Sequence, residues 1–348
     1  MAHPRDSVLP VVHRGVDQVL HRASNVGYGV LPWLIKSWRR VEVEHNVPYL
    51  PTRKRAHLLD IYRSRDATGA QPAVLYIHGG AFSMMSKDTH RLMAYVLAAQ
   101  GYQVFNINYR LGPVNPYPKP LKDVMAALEW ILDNGARYGA DASRLAIVGE
   151  SAGANLTAAL TYCATHPRLE PFARPIFERA PEIGCVAPLY GVLDLHDVER
   201  FWRDPSKSRR LASWIKAEIR GTAHSYLGPR VRRALEFPLA SPLRLFERPA
   251  PPGSRPLPPF FATVGTADPL LPDTIRLREA LEASGANCEL HVYRGEIHGF
   301  NVLLWREAAR TQWGALFSFL NKHIGDTEVE ALEEAPHPYV SLVEAFAE

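Results

Sequence analysis

Leu145-Ala146-Ile147-Val148 runs straight into Gly149-Glu150-Ser151-Ala152-Gly153, and an Ala/Leu/Thr-rich segment of helical character follows. A short apolar run bounded by glycine reads as a strand buried on both faces. A strand that enters a helix through Gly-x-Ser-x-Gly has to reverse sharply at the serine, the turn known as the nucleophile elbow. Glycines flank it because side chains do not fit there, and its strain points the Ser151 hydroxyl out of the fold. The turn also puts that oxygen at a helix N-terminus, where the dipole favours developing negative charge. Such pentapeptides also arise by chance in glycine-rich turns that merely end a strand. The rest of the chain has to decide.

The same alternation extends along the chain. Residues 41–47, 57–62, 73–77, 104–107, 145–148, 185–189, 260–264 and 289–293 read as strands, and residues 91–100, 120–138, 151–165, 274–284 and 306–322 as helices. Strands alternating with helices predict an α/β fold, with a mostly parallel central sheet covered by helices on both faces. Two regions break the pattern. Residues 1–40 look helical and precede the first strand. Residues 194–250 separate two strands with far more chain than a βα connection needs, and carry Phe201, Trp202, Trp214, Ile215, Ile219 and Tyr226 among basic residues. The expected organisation is a segment 1–40, a core from 41–193 and 251–324, an insert at 194–250, and an acidic tail at 325–348.

Composition narrows the function classes. An apolar fraction of 47% in 348 residues suits a globular protein with a substantial core, as one large domain or two small ones. A net charge of +4 is too mild to argue for nucleic acid. The charge is uneven: residues 198–233 hold ten Lys/Arg against three Asp/Glu, and residues 325–348 hold seven Asp/Glu and no Lys/Arg. They read as a solvated basic face and an acidic tail, with docking of the tail on the insert, through residues such as Tyr339 and Phe346, as the alternative. Cys163, Cys185 and Cys288 are scattered, odd in number and without metal-ligand spacing, as suits reduced thiols in the cytoplasm. The first twenty residues carry charges throughout, which argues against a signal peptide. No segment reaches the roughly 20 apolar residues that span a bilayer. Residues 28–40 mix Leu, Ile and Trp with a basic end, and read as a core-covering or pocket-covering helix before a membrane-surface one.

A serine nucleophile needs a base for its proton and a group that orients the base. Asp268 follows the 260–264 strand in Gly-Thr-Ala-Asp-Pro-Leu, and His298 follows the 289–293 strand in Gly-Glu-Ile-His-Gly-Phe. The order Ser, Asp, His is that of α/β hydrolases. Asp273 and Asp194 are rival carboxylates. His78-Gly79-Gly80-Ala81 follows the 73–77 strand, where a loop of oxyanion donors is expected. Backbone N–H groups of Gly79 and Gly80 would supply two donors and Ala152 a third. His78 is expected to brace this loop by hydrogen bonding.

Together these elements resemble the hormone-sensitive-lipase-like esterases of the α/β-hydrolase superfamily. Asn108-Tyr109-Arg110-Leu111-Gly112-Pro113 with Pro116-Tyr117-Pro118 resembles the family's YRLAP…PFP segment, and Asp268-Pro269-Leu270 and His298-Gly299-Phe300 its acid and base motifs. The resemblance covers roughly residues 55–323. It implies Ser151, Asp268 and His298 as the triad, an oxyanion hole at Gly79, Gly80 and Ala152, and a helical cap, formed by the N-terminal segment and the 194–250 insert, over the acyl pocket. Departures are Ala81 for a third glycine, Val114 for a glutamate that would brace Arg110, and a carboxylate shifted to Asp273. Glu150 resembles the less common GESAG variant and reads as a carboxylate organising nearby loops, by structural support or by tuning.

The expected activity is hydrolysis of short to medium carboxylic esters through an acyl-enzyme, with no cofactor and no metal. An amidase or N-deacylase would use the same atoms. A membrane-associated lipid hydrolase is a further class, and a ligand-binding module that lacks catalysis is disfavoured by the presence of His298. The expected partner is a small-molecule ester, with no nucleic acid and no stable membrane insertion; a homodimer is left open.

Overall fold

The computed structural model describes residues 39–203, 211–229, 231 and 236–325. The expectations for the N-terminal segment and the acidic tail thus lie almost wholly outside the described residues.

Eight strands form one sheet: β1 (Val41–Pro48), β2 (Leu58–Ser64), β3 (Gln71–Ile77), β4 (Gln103–Ile107), β5 (Ala140–Glu150), β6 (Ile183–Leu189), β7 (Phe260–Gly265) and β8 (Cys288–Tyr293). Their order is β1-β2-β4-β3-β5-β6-β7-β8. β2 is antiparallel to both β1 and β4, and the remaining neighbours are parallel. All eight coincide with segments expected from the sequence.

The helices are α1 (Arg91–Ala99), α2 (Lys119–Asn134), α3 (Ala152–Thr165), α4 (Arg174–Arg179), α5 (Ser213–Leu227), α6 (Leu243–Phe246), α7 (Leu271–Ala283) and α8 (Glu307–Ile324). α7 starts three residues before the expected helix because Pro272 fits a first turn, where its missing N–H has no partner to lose.

Alternation of side chains along each strand splits the core into two layers. Leu75 and Ile77 of β3 and Leu145 and Ile147 of β5 face Leu121, Val124 and Leu128 of α2 and Leu156 and Leu160 of α3. Val74, Tyr76, Ala146 and Val148 face the other way, onto Leu92 and Leu97 of α1 and Trp313, Leu316 and Leu320 of α8. The insert adds Phe201, Trp202, Ile219, Tyr226 and Leu243 to the first layer.

Strand register sets the site. Ile77 pairs with Gly149, Glu150 with Leu189, and Gly265 with Tyr293. Parallel strands that end level release their following loops at one edge, where sheets of this kind gather functional groups. Among the described residues no helix is long and apolar enough to cross a membrane.

Candidate active site

Ser151 is the hinge between β5 and α3, with φ 52° and ψ −110°. Left-handed backbone at a residue with a Cβ costs about 1–3 kcal/mol and persists only where the surroundings enforce it. The enforcement is visible on both sides. A Cβ on Gly149 would sit 2.4 Å from Thr157 Oγ1, and one on Gly153 would sit 2.1 Å from the Ile77 carbonyl oxygen. The Ser151 N–H donates to the Leu189 carbonyl at 3.0 Å, which ties the turn to the end of β6.

His298 brings its Nε2 within 3.0 Å of Ser151 Oγ, and its Nδ1 lies 2.8 Å from Asp268 Oδ2. A carboxylate only accepts, so Nδ1–H is the donor and Nε2 is left to accept from the serine hydroxyl. Asp268 is wholly buried while the imidazole is 39% exposed, so one side of the ring remains open. The Leu270 N–H donates to Asp268 Oδ1 at 2.8 Å and fixes the carboxylate. Burial by itself would lower the His298 pKa; the charge and hydrogen bond of Asp268, with a smaller contribution from Glu150, outweigh it and raise the pKa above the ordinary 6.5.

The rival carboxylates are engaged elsewhere. Asp273 accepts the N–H groups of Leu193 and Asp194 at 2.9 and 3.1 Å and a fork from Arg200, whose Nη2 is 2.5 Å from Oδ1. Asp194 lies 3.3 Å from Arg276. The shifted carboxylate therefore fastens the insert to α7. Replacing Asp273 by Asn should destabilise the fold by about 1–3 kcal/mol, because it weakens the Arg200 fork and the acceptor for two backbone N–H groups, while burial of the carboxylate already offsets part of that attraction. Denaturant melts read the loss, and the folded fraction should keep its turnover number.

The Gly79-Gly80 turn lies directly against the serine. A Cβ on Gly79 would be 3.4 Å from Ser151 Cβ, and one on Gly80, at φ 110°, would be 2.2 Å from the Met84 carbonyl oxygen. Ala152 is buried in the first turn of α3. His78 Nδ1–H donates to the Gly79 carbonyl at 2.7 Å, and its ring stacks on Tyr109 at 4.3 Å. Burial, with His90 nearby, pushes the His78 pKa down to about 3, so the ring is neutral and holds the loop without carrying charge.

Two non-glycine residues past the turn, Ala81 and Phe82, also have positive φ, at 51° and 57°. The Phe82 conformation is held by the insert on one side and by the Gly112 turn on the other. Phe82 stacks on Tyr226 of α5 at 3.9 Å, and the Phe82 carbonyl accepts the Gly112 N–H at 2.7 Å. Gly112 is needed there, since a Cβ would fall 1.8 Å from the Ser225 carbonyl oxygen. Arg110 is braced after all, a correction to the reading of Val114. Its guanidinium forks onto Asp123 of α2 at 2.6 and 2.8 Å, and Val114 is 79% exposed.

Glu150 is buried and accepts from Asn301 Nδ2 at 2.9 Å, with His90 Nε2 at 3.5 Å. Burial would raise its pKa; hydrogen bonding and attraction from His90, with further hydrogen bonds from Asn301 and Tyr76, outweigh that and lower it. Tyr190 donates to Asn301 Oδ1 at 2.7 Å and sets its ring edge-on to the His298 imidazole, centroids 5.0 Å apart. Neither Asn301 nor Tyr190 carries a motif or a periodic signal that would mark it in the sequence.

A family profile described as alpha/beta hydrolase fold matches residues 74–302. Esterase LipI of Mycobacterium tuberculosis (strain ATCC 25618 / H37Rv) is 31% identical over 237 residues, 66% of this chain and 65% of that protein. Carboxylesterase NlhH of Mycobacterium tuberculosis (strain CDC 1551 / Oshkosh) is 42% identical over 95 residues, 27% of this chain and 30% of that protein. The matched stretches thus span less than two thirds of the length of these relatives. The solved structure of esterase LipW from Mycobacterium marinum aligns with a TM-score of 0.67 and 26% identity, over 91% of this chain and 88% of that one.

Proposed function

The chain belongs to the α/β-hydrolase-fold family, in its hormone-sensitive-lipase-like branch, and from that membership we propose that it is a serine carboxylic-ester hydrolase working through an acyl-enzyme. Ser151 Oγ attacks the ester carbonyl as His298 Nε2 takes its proton, and the imidazolium returns that proton to the departing alcohol. Water activated by the same nitrogen then releases the acid. Asp268 fixes the tautomer and balances the imidazolium charge. The N–H groups of Gly79, Gly80 and Ala152 stabilise the tetrahedral oxyanion, each donor contributing about 2.7–4 kcal/mol in enzymes of this chemistry. The observation that carries the reading is the relay of 3.0 and 2.8 Å from Ser151 through His298 to Asp268.

The insert at 194–250, with the N-terminal segment, forms the cap over the acyl pocket in this reading. Its aromatic content favours a bounded apolar cavity and short to medium acyl chains. A panel of p-nitrophenyl esters from acetyl to palmitoyl, with one anilide, tests both points. Turnover should peak at short to medium chains. Activity that rises steadily to palmitoyl, or is confined to the anilide, sinks the reading. Flotation with anionic liposomes tests the lipid-hydrolase alternative and should leave the protein at the bottom of the gradient.

The raised His298 pKa sets a pH dependence. Only neutral imidazole accepts the serine proton, so kcat/KM should fall as pH drops through that pKa, with the acid limb centred above 6.5. A limb centred well below 6.5 would contradict the pairing with Asp268. Cytoplasmic residence accords with the thiols, since Cys163 and Cys185 are buried and all three cysteines are unpaired. A homodimer is compatible with the reading, and light scattering reads it directly.

A further inference from the structure

We propose that Asn301 is a positioning residue for the base, the centre of a buried bracket whose side-chain amide joins Tyr190, packed on the His298 imidazole, to Glu150, the residue before the nucleophile. The proposal rests on the assignment of Ser151, His298 and Asp268 made above. Its geometry is independent of that assignment: Tyr190 Oη donates to Asn301 Oδ1 at 2.7 Å, and Asn301 Nδ2 donates to Glu150 Oε1 at 2.9 Å. The three residues sit at the ends of β5 and β6 and in the loop after β8, so one fully buried amide links three of the loops at this edge.

An amide suits this place because it accepts from the phenol and donates to the carboxylate at once. Its direction is set from behind, where Trp313 Nε1–H of α8 donates to the Asn301 backbone carbonyl at 3.0 Å. Tyr190 is itself in left-handed backbone, at φ 39°, and its N–H donates to the Thr263 carbonyl at 2.9 Å. Asp268 holds the imidazole at Nδ1 alone. The Tyr190 edge, at 75° to the ring, limits rotation about that contact. Displacement of a reacting group by about 1 Å costs on the order of 100-fold in rate.

The titratable groups that face the bracket are Asp268 beyond β7, Glu150 of β5, Tyr190 beyond β6, Tyr76 of β3, and His78 and His90 between β3 and α1. The ionised Glu150 lies close enough to help hold the proton on His298. Removing its charge should therefore lower the pH of the acid limb.

The test compares wild type with Asn301→Leu, Asn301→Asp, Glu150→Gln and the swap Asn301→Asp with Glu150→Gln. The swap restores one donor and one acceptor with their direction reversed. Each protein is melted, labelled at Ser151 with a fluorophosphonate, and assayed for kcat, KM and the acid limb on p-nitrophenyl butyrate. Asn301→Leu and Asn301→Asp should lose about tenfold to 100-fold in kcat and in labelling rate, with KM within about twofold. Glu150→Gln should move the acid limb to lower pH, and the swap should recover most of the kcat lost in Asn301→Asp. Folded Asn301 variants with wild-type kcat, or a Glu150→Gln variant whose limb does not move, overturn the proposal. So does a swap no faster than Asn301→Asp, an arm that decides the matter if Asn301→Leu does not fold. A wild type that fluorophosphonate leaves unlabelled overturns the hydrolase reading and the bracket's role with it, whereas a labelled wild type with indifferent variants overturns the bracket alone.

Discussion

Ser151→Ala should lower kcat on activated esters by about 10⁴–10⁶, the range found when a triad nucleophile is removed. The fold should survive, because among the described residues the hydroxyl's side-chain hydrogen bond is the 3.0 Å one to His298, which belongs to the proposed relay. Alanine meets the same backbone strain at φ 52° that serine already bears, so the elbow keeps its shape. The residual rate would come from the oxyanion donors and from binding alone. Circular dichroism and a thermal melt establish the intact fold, and ester turnover gives the loss. A variant that keeps a tenth of wild-type activity removes Ser151 from the mechanism.

Asp268→Asn should cost about 10³–10⁴ in kcat through the tautomer of His298. One Asp268 oxygen accepts from the Leu270 N–H at 2.8 Å and the other from His298 Nδ1–H at 2.8 Å. Asparagine has only one oxygen for the two donors. If its oxygen stays with Leu270, its NH₂ faces Nδ1, the imidazole proton moves to Nε2, and the base no longer accepts from serine. The same change removes the charge that raises the His298 pKa, so the residual activity should show its acid limb at lower pH than wild type. The comparison with Asp273→Asn makes the prediction sharp: a stable, slow Asp268 variant beside an unstable, fast Asp273 variant is expected. The opposite pattern would give the orienting role to Asp273.

The central strands were legible because a parallel sheet buries them on both faces. Residues 73–77 and 145–148 are continuous apolar runs with glycine just beyond, and no helical period competes with them. α3 was harder, since every residue from Ala152 to Thr165 is buried and no polar stripe marks a solvent side. It was read from its composition and from the elbow before it. α4 went unread: at six residues it is too short for a periodic signal, although Pro175 in its first turn is a helix-start residue.

The proposed reacting residues could be picked out because each lies just past a strand inside a short motif. What holds them together could not. Tyr190 and Glu150 precede Asn301 by 111 and 151 positions, and a buried polar side chain is recognisable only by what it touches. Asp123 shows the same limit, since its fork to Arg110 depends on how α2 packs.

The grip of Tyr226 on Phe82 bears on how such an enzyme can diversify. The helix that carries Tyr226 belongs to the insert proposed to shape the acyl pocket, yet its ring presses on a residue two positions beyond Gly80. Pocket and oxyanion loop are therefore not separable modules. A chimaera given the insert of a relative would change its chain-length preference and lose turnover together, unless the donor segment brings an aromatic ring to lie against Phe82. Lineages free to vary the rest of the insert would be held at that one position, and successful pocket redesigns should vary the helix around Tyr226 while leaving its ring in place.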